Sequence, residues 1–226
     1  MSKKSLPASQ KSRPVARPRP RAGRPTKAQA ERRHAQLLDR ALDFFLDNGY
    51  ELATIEMIRT SIGMTKRTLY SLYEDKKMLF RAAVQRALTR WVIPIDALRA
   101  VETDDLEATL IAIARIRMEN SISPIGLKLQ RIVNAESYRV PEVIPLYWEQ
   151  GGRPSIRYVA DLLERHAKQG RILADEPEML AHGFLMLVVG GPTRTILLGS
   201  KVDKAEIDRR IRVYVKLFLN GVRTRG

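Results

Sequence analysis

The chain contains no cysteine. Disulfides, thiolate metal sites and thiol catalysis are therefore excluded, and a reducing cytoplasm suits the composition. Histidine is nearly as scarce. His34, His166 and His182 are the three present, and they are scattered without metal-ligand spacing. The patterns GxGxxG, GxxxxGK, HExxH and GxSxG are all missing, which removes the common phosphate-loop, zinc-protease and hydrolase readings. The acidic group Glu102, Asp104, Asp105 and Glu107 falls where a helix is expected to start, and acids there offset the helix dipole. No enzyme activity, metal or cofactor is expected.

Long apolar runs are also lacking. The most apolar stretch, Phe184 to Val189, is followed by Gly190, Gly191 and Pro192. It falls far short of the ~20 residues that a membrane-spanning helix needs. No apolar segment follows the N-terminal charges, as a secretory signal would require. No membrane partner is expected, and the location is expected to be cytoplasmic.

Acid is absent from the first 27 residues, which carry nine Lys or Arg. The whole chain of 226 residues has a net charge of +15 and a pI of about 10.4. Subtracting nine from +15 leaves +6 for the other 199 residues. Such a balance favours a polyanion, either nucleic acid or an anionic membrane surface. The stretch "SRPVARPRPRAGRP" alternates Arg with Pro, which blocks helix and favours extended chain. Residues 1–26 read as a disordered basic arm, with a solubilising tail as the alternative.

Beyond the arm, strand-like alternation is scarce and helical spacing dominates. Leu38, Leu42, Phe45 and Leu46 form one stripe, which Gly49 ends. Thr54 precedes a short segment with Ile55, Ile58 and Ile62. Gly63 supplies a turn, Thr65 caps the next helix, and Asp75 caps a fourth that runs toward Pro94. Further helices are expected from Asp104 or Asp105, from Pro124, from Pro141 to about Gln169, from Pro177 to about Leu198, and from Asp203. The expected fold is all-α. An N-terminal three-helix unit with a helix-turn-helix, residues 27–75, precedes a larger helical domain, residues 76–226.

Two short helices around a glycine turn make a helix-turn-helix, whose second helix enters the DNA major groove. Here that helix starts at Thr65. Leu69 and Leu72 are expected to anchor it. Lys66 and Arg67 stand at its N-terminal end, closest to base edges, and Arg can donate twice to guanine. Tyr70 and Ser71 can bond phosphates or bases. Thr54, Thr65 and Lys76 lie at helix starts, which favour phosphate. The expected partner is double-stranded operator DNA.

The stretch "DNGYELATIEMIRTSIGMTKRTLYSLYEDKKMLF" carries Asn48-Gly49-Tyr50, Thr54, Ile58, Gly63, Thr65, Lys66, Thr68, Leu69, Tyr70, Tyr73 and Lys76. In this pattern residues 33–80 resemble the DNA-binding domain of the TetR/AcrR family of transcriptional regulators. Arg67 stands where the family often has Gly. Ser71 and Leu72 stand where it often has Tyr and His. Tyr73 matches an aromatic that is usually buried. More loosely, "KLQRIVNAESYRVPEV" and "HAKQGRIL" resemble AcrR-like ligand domains. The resemblance implies a homodimer that binds an operator, usually a repressor released by a small apolar or aromatic ligand.

For such a ligand, Trp91, Met118, Ile122 and Ile132 are candidate pocket residues, together with Asn134, Tyr138, Trp148 and Phe184. For self-association the last two helices are favoured, with Leu185, Val189, Ile196 and Tyr214 as candidates. The rival readings are a non-specific nucleic-acid binder and a protein of anionic membrane surfaces. Both account for the charge, and neither accounts for the turn spacing around Gly63.

Overall fold

A computed structural model describes residues 26–222. Apart from Thr26, the basic arm lies outside them. Among the described residues every regular element is a helix, so the fold is all-α as the spacing predicts.

Helix α1, Lys27–Leu52, starts at a capping box: the Thr26 hydroxyl accepts from the Gln29 N–H, and the Gln29 side chain accepts from the Thr26 N–H. Both orphan donors are thereby satisfied. Leu37, Leu38, Ala41, Leu42 and Phe45 recur at helical spacing on its buried face. Gly49 breaks the helical path with φ 74°, the left-handed geometry that glycine adopts most easily. Helices α2, Ile55–Ser61, α3, Lys66–Leu72, and α4, Lys76–Trp91, follow. Thr54, Thr65 and Asp75 cap them through side-chain bonds to Met57, Thr68 and Met78. Asp39 on α1 accepts from Arg86 and Arg90 on α4 and ties these two helices together.

Helix α5, Ile95–Arg99, is a short turn that the sequence pattern does not announce. It is followed by α6, Leu106–Ser121, α7, Pro124–Glu136, and α8, Val143–Tyr147. A π-helical turn, Trp148–Gly152, leads without a break into α9, Arg153–Lys168. The expected single helix after Pro177 is likewise α10, Pro177–Leu185, a π-helical turn, Met186–Gly190, and α11, Gly191–Leu197. Helix α12, Lys204–Val222, closes the described chain.

The buried apolar residues form two cores. The first joins α1 to α4 with Leu129, Ile132, Val140 and Val143 from α7 and the segment after it. The second joins α5, α6, α9, α10, the following π-turn and α12. Helix α7 therefore reaches into the core of the N-terminal unit. Side chains such as Phe45, Phe80 and Phe184, all essentially fully buried, contribute about 1.5–3 kcal/mol each in transfer terms. In the first core, Phe80 meets Phe45 edge-on at 4.8 Å and Tyr50 at 5.1 Å.

The run Pro177–Leu197 is longer than the apolar stretch read from sequence, because the helical path continues through Gly190, Gly191 and Pro192. By length and composition it passes as a membrane span, with mean hydropathy 1.3. Ala181, Phe184, Leu185, Val188 and Val189 are nevertheless packed into the second core, and the core helix of a globular protein passes the same test.

Candidate nucleic-acid interface and effector cavity

The turn between α2 and α3 is held from three sides. Gly63 adopts φ 63°. The Met64 carbonyl accepts from the Arg59 guanidinium at 2.8 Å. Arg59 also pairs with Glu56, one turn back on α2, and this contact lowers the Glu56 pKa and raises that of Arg59. Arg59 was not singled out by the sequence reading. Its signal was the Glu56–Arg59 spacing of three, which brings side chains together on a helix.

Leu69 is fully buried and pins α3 to the first core. Lys66, Arg67, Tyr70 and Ser71 are exposed. The Lys66 ammonium sits 5.7 Å from the centre of the Tyr70 ring, so the two share one open face. Ser71 donates back to the Thr68 carbonyl, and its oxygen keeps acceptor capacity. Leu72 departs from expectation. It is 43% exposed, and the anchor that follows Leu69 is Tyr73, buried with its hydroxyl 2.7 Å from His34 Nε2. A helix of only seven residues turns Leu72 away from the core once Tyr73 is drawn in.

Thr54 and Thr65 are exposed and cap α2 and α3. Lys76 is placed differently from a free phosphate anchor. Its ammonium donates to the Tyr50 carbonyl at 2.9 Å and the Glu51 carbonyl at 3.2 Å. It also lies 4.4 Å from the Tyr50 ring centre. Lys76 therefore stabilises the C-terminal end of α1, where unpaired carbonyls attract cations, and one of its three N–H donors remains.

The larger unit contains a half-open cavity of about 490 Å³. Trp91 forms its inner wall, with the Tyr147 ring stacked on it at 5.5 Å and its indole N–H donating to the Asn120 carbonyl. Gly151 allows that packing, since a Cβ there would sit 2.6 Å from Trp91 Cζ3. Arg117 lies in the interior with its Cζ 5.6 Å from the Trp91 ring centre. Trp148, Asn134, His182 and Arg194 are exposed and stand around the mouth. Both π-helical turns contribute lining residues, and such turns recur at functional sites.

Two family models match the chain. One, described as bacterial regulatory proteins of the tetR family, covers residues 37–83. The other, described as the C-terminal domain of AefR-like transcriptional repressors, covers residues 108–221. The chain belongs to the TetR family of transcriptional regulators. Among curated proteins it is 23% identical over 185 residues to the HTH-type transcriptional repressor AcnR of Corynebacterium diphtheriae, covering 77% of this chain and 86% of that one. Among solved structures it is similar to the flavonoid-responsive regulator FrrA, at TM-score 0.69 and 28% identity, covering 87% of this chain and all of that one. It also matches a TetR-family regulator from Mesorhizobium loti at TM-score 0.71 and 23% identity, over 87% and 99% of the two chains.

Within this TetR-family framework the structure sorts the sequence candidates. Trp91, Asn134 and Trp148 line the cavity. Tyr138 does not: it is 96% exposed, beyond the end of α7. Ile132 and Phe184 are packed in the two cores instead. Met118 and Ile122 border a separate, smaller recess between α6 and α12. Leu185 and Val189, expected at a subunit interface, are buried and line the cavity. Ile196 and Tyr214 are half-buried against the second core. The large apolar side chains exposed between Pro177 and Val222 are Met179, Met186, Leu198, Val213 and Leu217, of which Met186 and Leu198 also line the cavity.

Proposed function

We propose that this TetR-family regulator is a homodimeric repressor that reads its operator with α3 and is released when a small ligand enters the Trp91 cavity. The observation that carries the DNA-reading part is the division of α3. Leu69 holds the helix in the core, while Lys66, Arg67 and Tyr70 stand free on the open side. Arg67 reads a guanine edge through two parallel hydrogen bonds. Thr54, Thr65, Ser71 and the remaining Lys76 donor position the domain on phosphates. Arg59 fixes the angle between α2 and α3.

Self-association uses the exposed apolar side chains Met179 on α10 and Val213 and Leu217 on α12. A two-fold axis there would set two α3 helices against successive major grooves about 34–36 Å apart. Support for the ligand part comes from the cavity's volume, which lies inside the ~300–1,000 Å³ range of small-molecule sites, and from its aromatic walls. The structurally similar FrrA is a flavonoid-responsive regulator, which agrees with an aromatic ligand. We assign it no catalytic or membrane role, in keeping with its regulator relatives, and place it in the cytoplasm.

Helix α7 connects cavity and DNA-binding unit. It carries Gln130 and Asn134 on the cavity side. At its end the buried Glu136 carboxylate accepts from the Tyr50 N–H at 3.0 Å, just past the Gly49 break. A ligand that shifts α7 therefore pulls on the end of α1.

The test is selection of binding sites from random duplex DNA by the full chain, followed by titration of the selected site and its scrambled version. A palindromic site bound at least 100-fold more tightly than the scramble is expected. Equal affinity for both would refute operator recognition and favour a non-specific basic binder.

A further inference from the structure

The buried Arg117 side chain is poorly satisfied within the fold. It is 7% exposed. Its Nε is buried without a hydrogen-bond partner. One terminal nitrogen reaches the Gly151 carbonyl, at a long 3.4 Å. The Trp91 ring offers a cation–π contact at 5.6 Å, which leaves the charge uncompensated. No Asp or Glu is among the residues lining the cavity. Arg115, two residues earlier on α6, shows the contrast: it is partly exposed and donates to Asp208 at 2.6 Å.

Arginine cannot escape such a site by losing its proton. Burial pushes the Arg117 pKa below its ordinary value, yet the group stays charged at any physiological pH. A buried charge without a partner is strongly unfavourable, and a planar guanidinium fork matches a carboxylate with two parallel bonds. Around it stand flat apolar walls from Trp91, Tyr147 and Trp148. Arg194 adds a second cation at the mouth, and Ser121 and Gln130 add neutral polar groups.

We infer that the effector is an organic anion, with an aromatic body held between the cavity's rings and a carboxylate paired with Arg117. This rests on reading the cavity as the effector site, and it narrows the ligand from any apolar compound to a carboxylate-bearing one.

Both tryptophans of the chain, Trp91 and Trp148, line the cavity, so intrinsic fluorescence reports its occupancy. The full chain is titrated with three matched pairs: benzoate and benzamide, cinnamate and cinnamamide, 2-naphthoate and 2-naphthamide. At least one carboxylate should bind ten-fold or more tightly than its amide. Arg117→Met should erase that preference while the ligand-free protein melts at an equal or higher temperature, since a stranded charge has been removed. Arg117→Lys, which keeps the charge and loses the fork, should retain part of the preference. Absence of a carboxylate preference in every pair, or its survival in Arg117→Met, overturns the inference. Release from the selected DNA is measured alongside. A carboxylate that binds without releasing DNA leaves the anion site standing and removes the repressor-release reading. An amide that binds and releases as well as its acid does the reverse.

Discussion

Glu136 is the most informative place to cut the connection between the two units. Its Oε1 accepts from the Tyr50 N–H at 3.0 Å, and its Oε2 is 3.6 Å from Arg139 but makes no hydrogen bond. Glu136→Leu keeps similar bulk and removes the acceptor. A donor left unpaired away from water costs about 1–3 kcal/mol. Loss of the poorly satisfied Oε2 offsets part of this, so a net loss of about 1–2 kcal/mol is expected. For a chain of this size that lowers Tm by about 2–4 °C per kcal/mol, readable by calorimetry. Glu136→Gln retains an acceptor and should lose about half as much or less. The functional readout is the ratio of operator affinities with and without a releasing ligand. Allosteric coupling of this kind is typically about 5–150-fold, and in Glu136→Leu the ratio should fall toward one. If Tm drops while the ratio is unchanged, the contact is a structural clamp and the coupling runs elsewhere. If Tm is unchanged as well, the Tyr50 bond contributes nothing and the argument fails.

Four other perturbations test the remaining parts. Arg67→Ala should cost about 1–3 kcal/mol on the selected operator, as a bidentate guanine contact would, and much less on scrambled DNA; equal loss on both makes Arg67 a phosphate anchor. Leu217→Asp, at a side chain 60% exposed in the monomer, should give monomers by light scattering with the helical content intact; a dimer of unchanged strength places the interface on another face. Gly151→Ala forces a Cβ to within 2.6 Å of Trp91 and should cost about 1–3 kcal/mol as overpacking does, with a shift in tryptophan emission; an unchanged spectrum means Trp91 is not held as described. Deleting residues 2–23, which carry seven of the chain's Lys and Arg, should weaken DNA binding most at low salt and flatten the salt dependence, whereas an unchanged slope makes the arm a solubilising tail.

The DNA-binding unit was legible because its signals are local. Thr54, Thr65 and Asp75 cap the helices the sequence assigned them, since a hydroxyl or carboxylate at a helix start bonds its own chain two or three residues on. Gly63 was legible for the same reason: a tight turn needs its positive φ. Lys76 was only half legible. Its place at a helix start suggested phosphate, but the nearest unpaired acceptors are the Tyr50 and Glu51 carbonyls, more than twenty residues earlier in the chain. A partner that distant leaves no trace in local spacing. Arg117 is similar. Only packing shows that it is buried with no carboxylate lining the cavity beside it.

The assignment of faces on the helix after Pro177 was lost to a different cause. Apolar residues crowd nearly every side of Phe184 to Val189, so periodicity chooses no direction there. The π-helical turn Met186–Gly190 then adds a residue to the local repeat, which rotates everything beyond it relative to a 3.6-residue projection. Leu185, Val189 and the 55% exposed Met186 between them all line the cavity. The π-helical turn is thus a wall of the cavity. In the reading proposed here, a ligand beside Val189 and Met186 bears directly on this short irregular turn. On that reading the DNA-binding unit would feel ligand entry through the Glu136 link from α7 to α1.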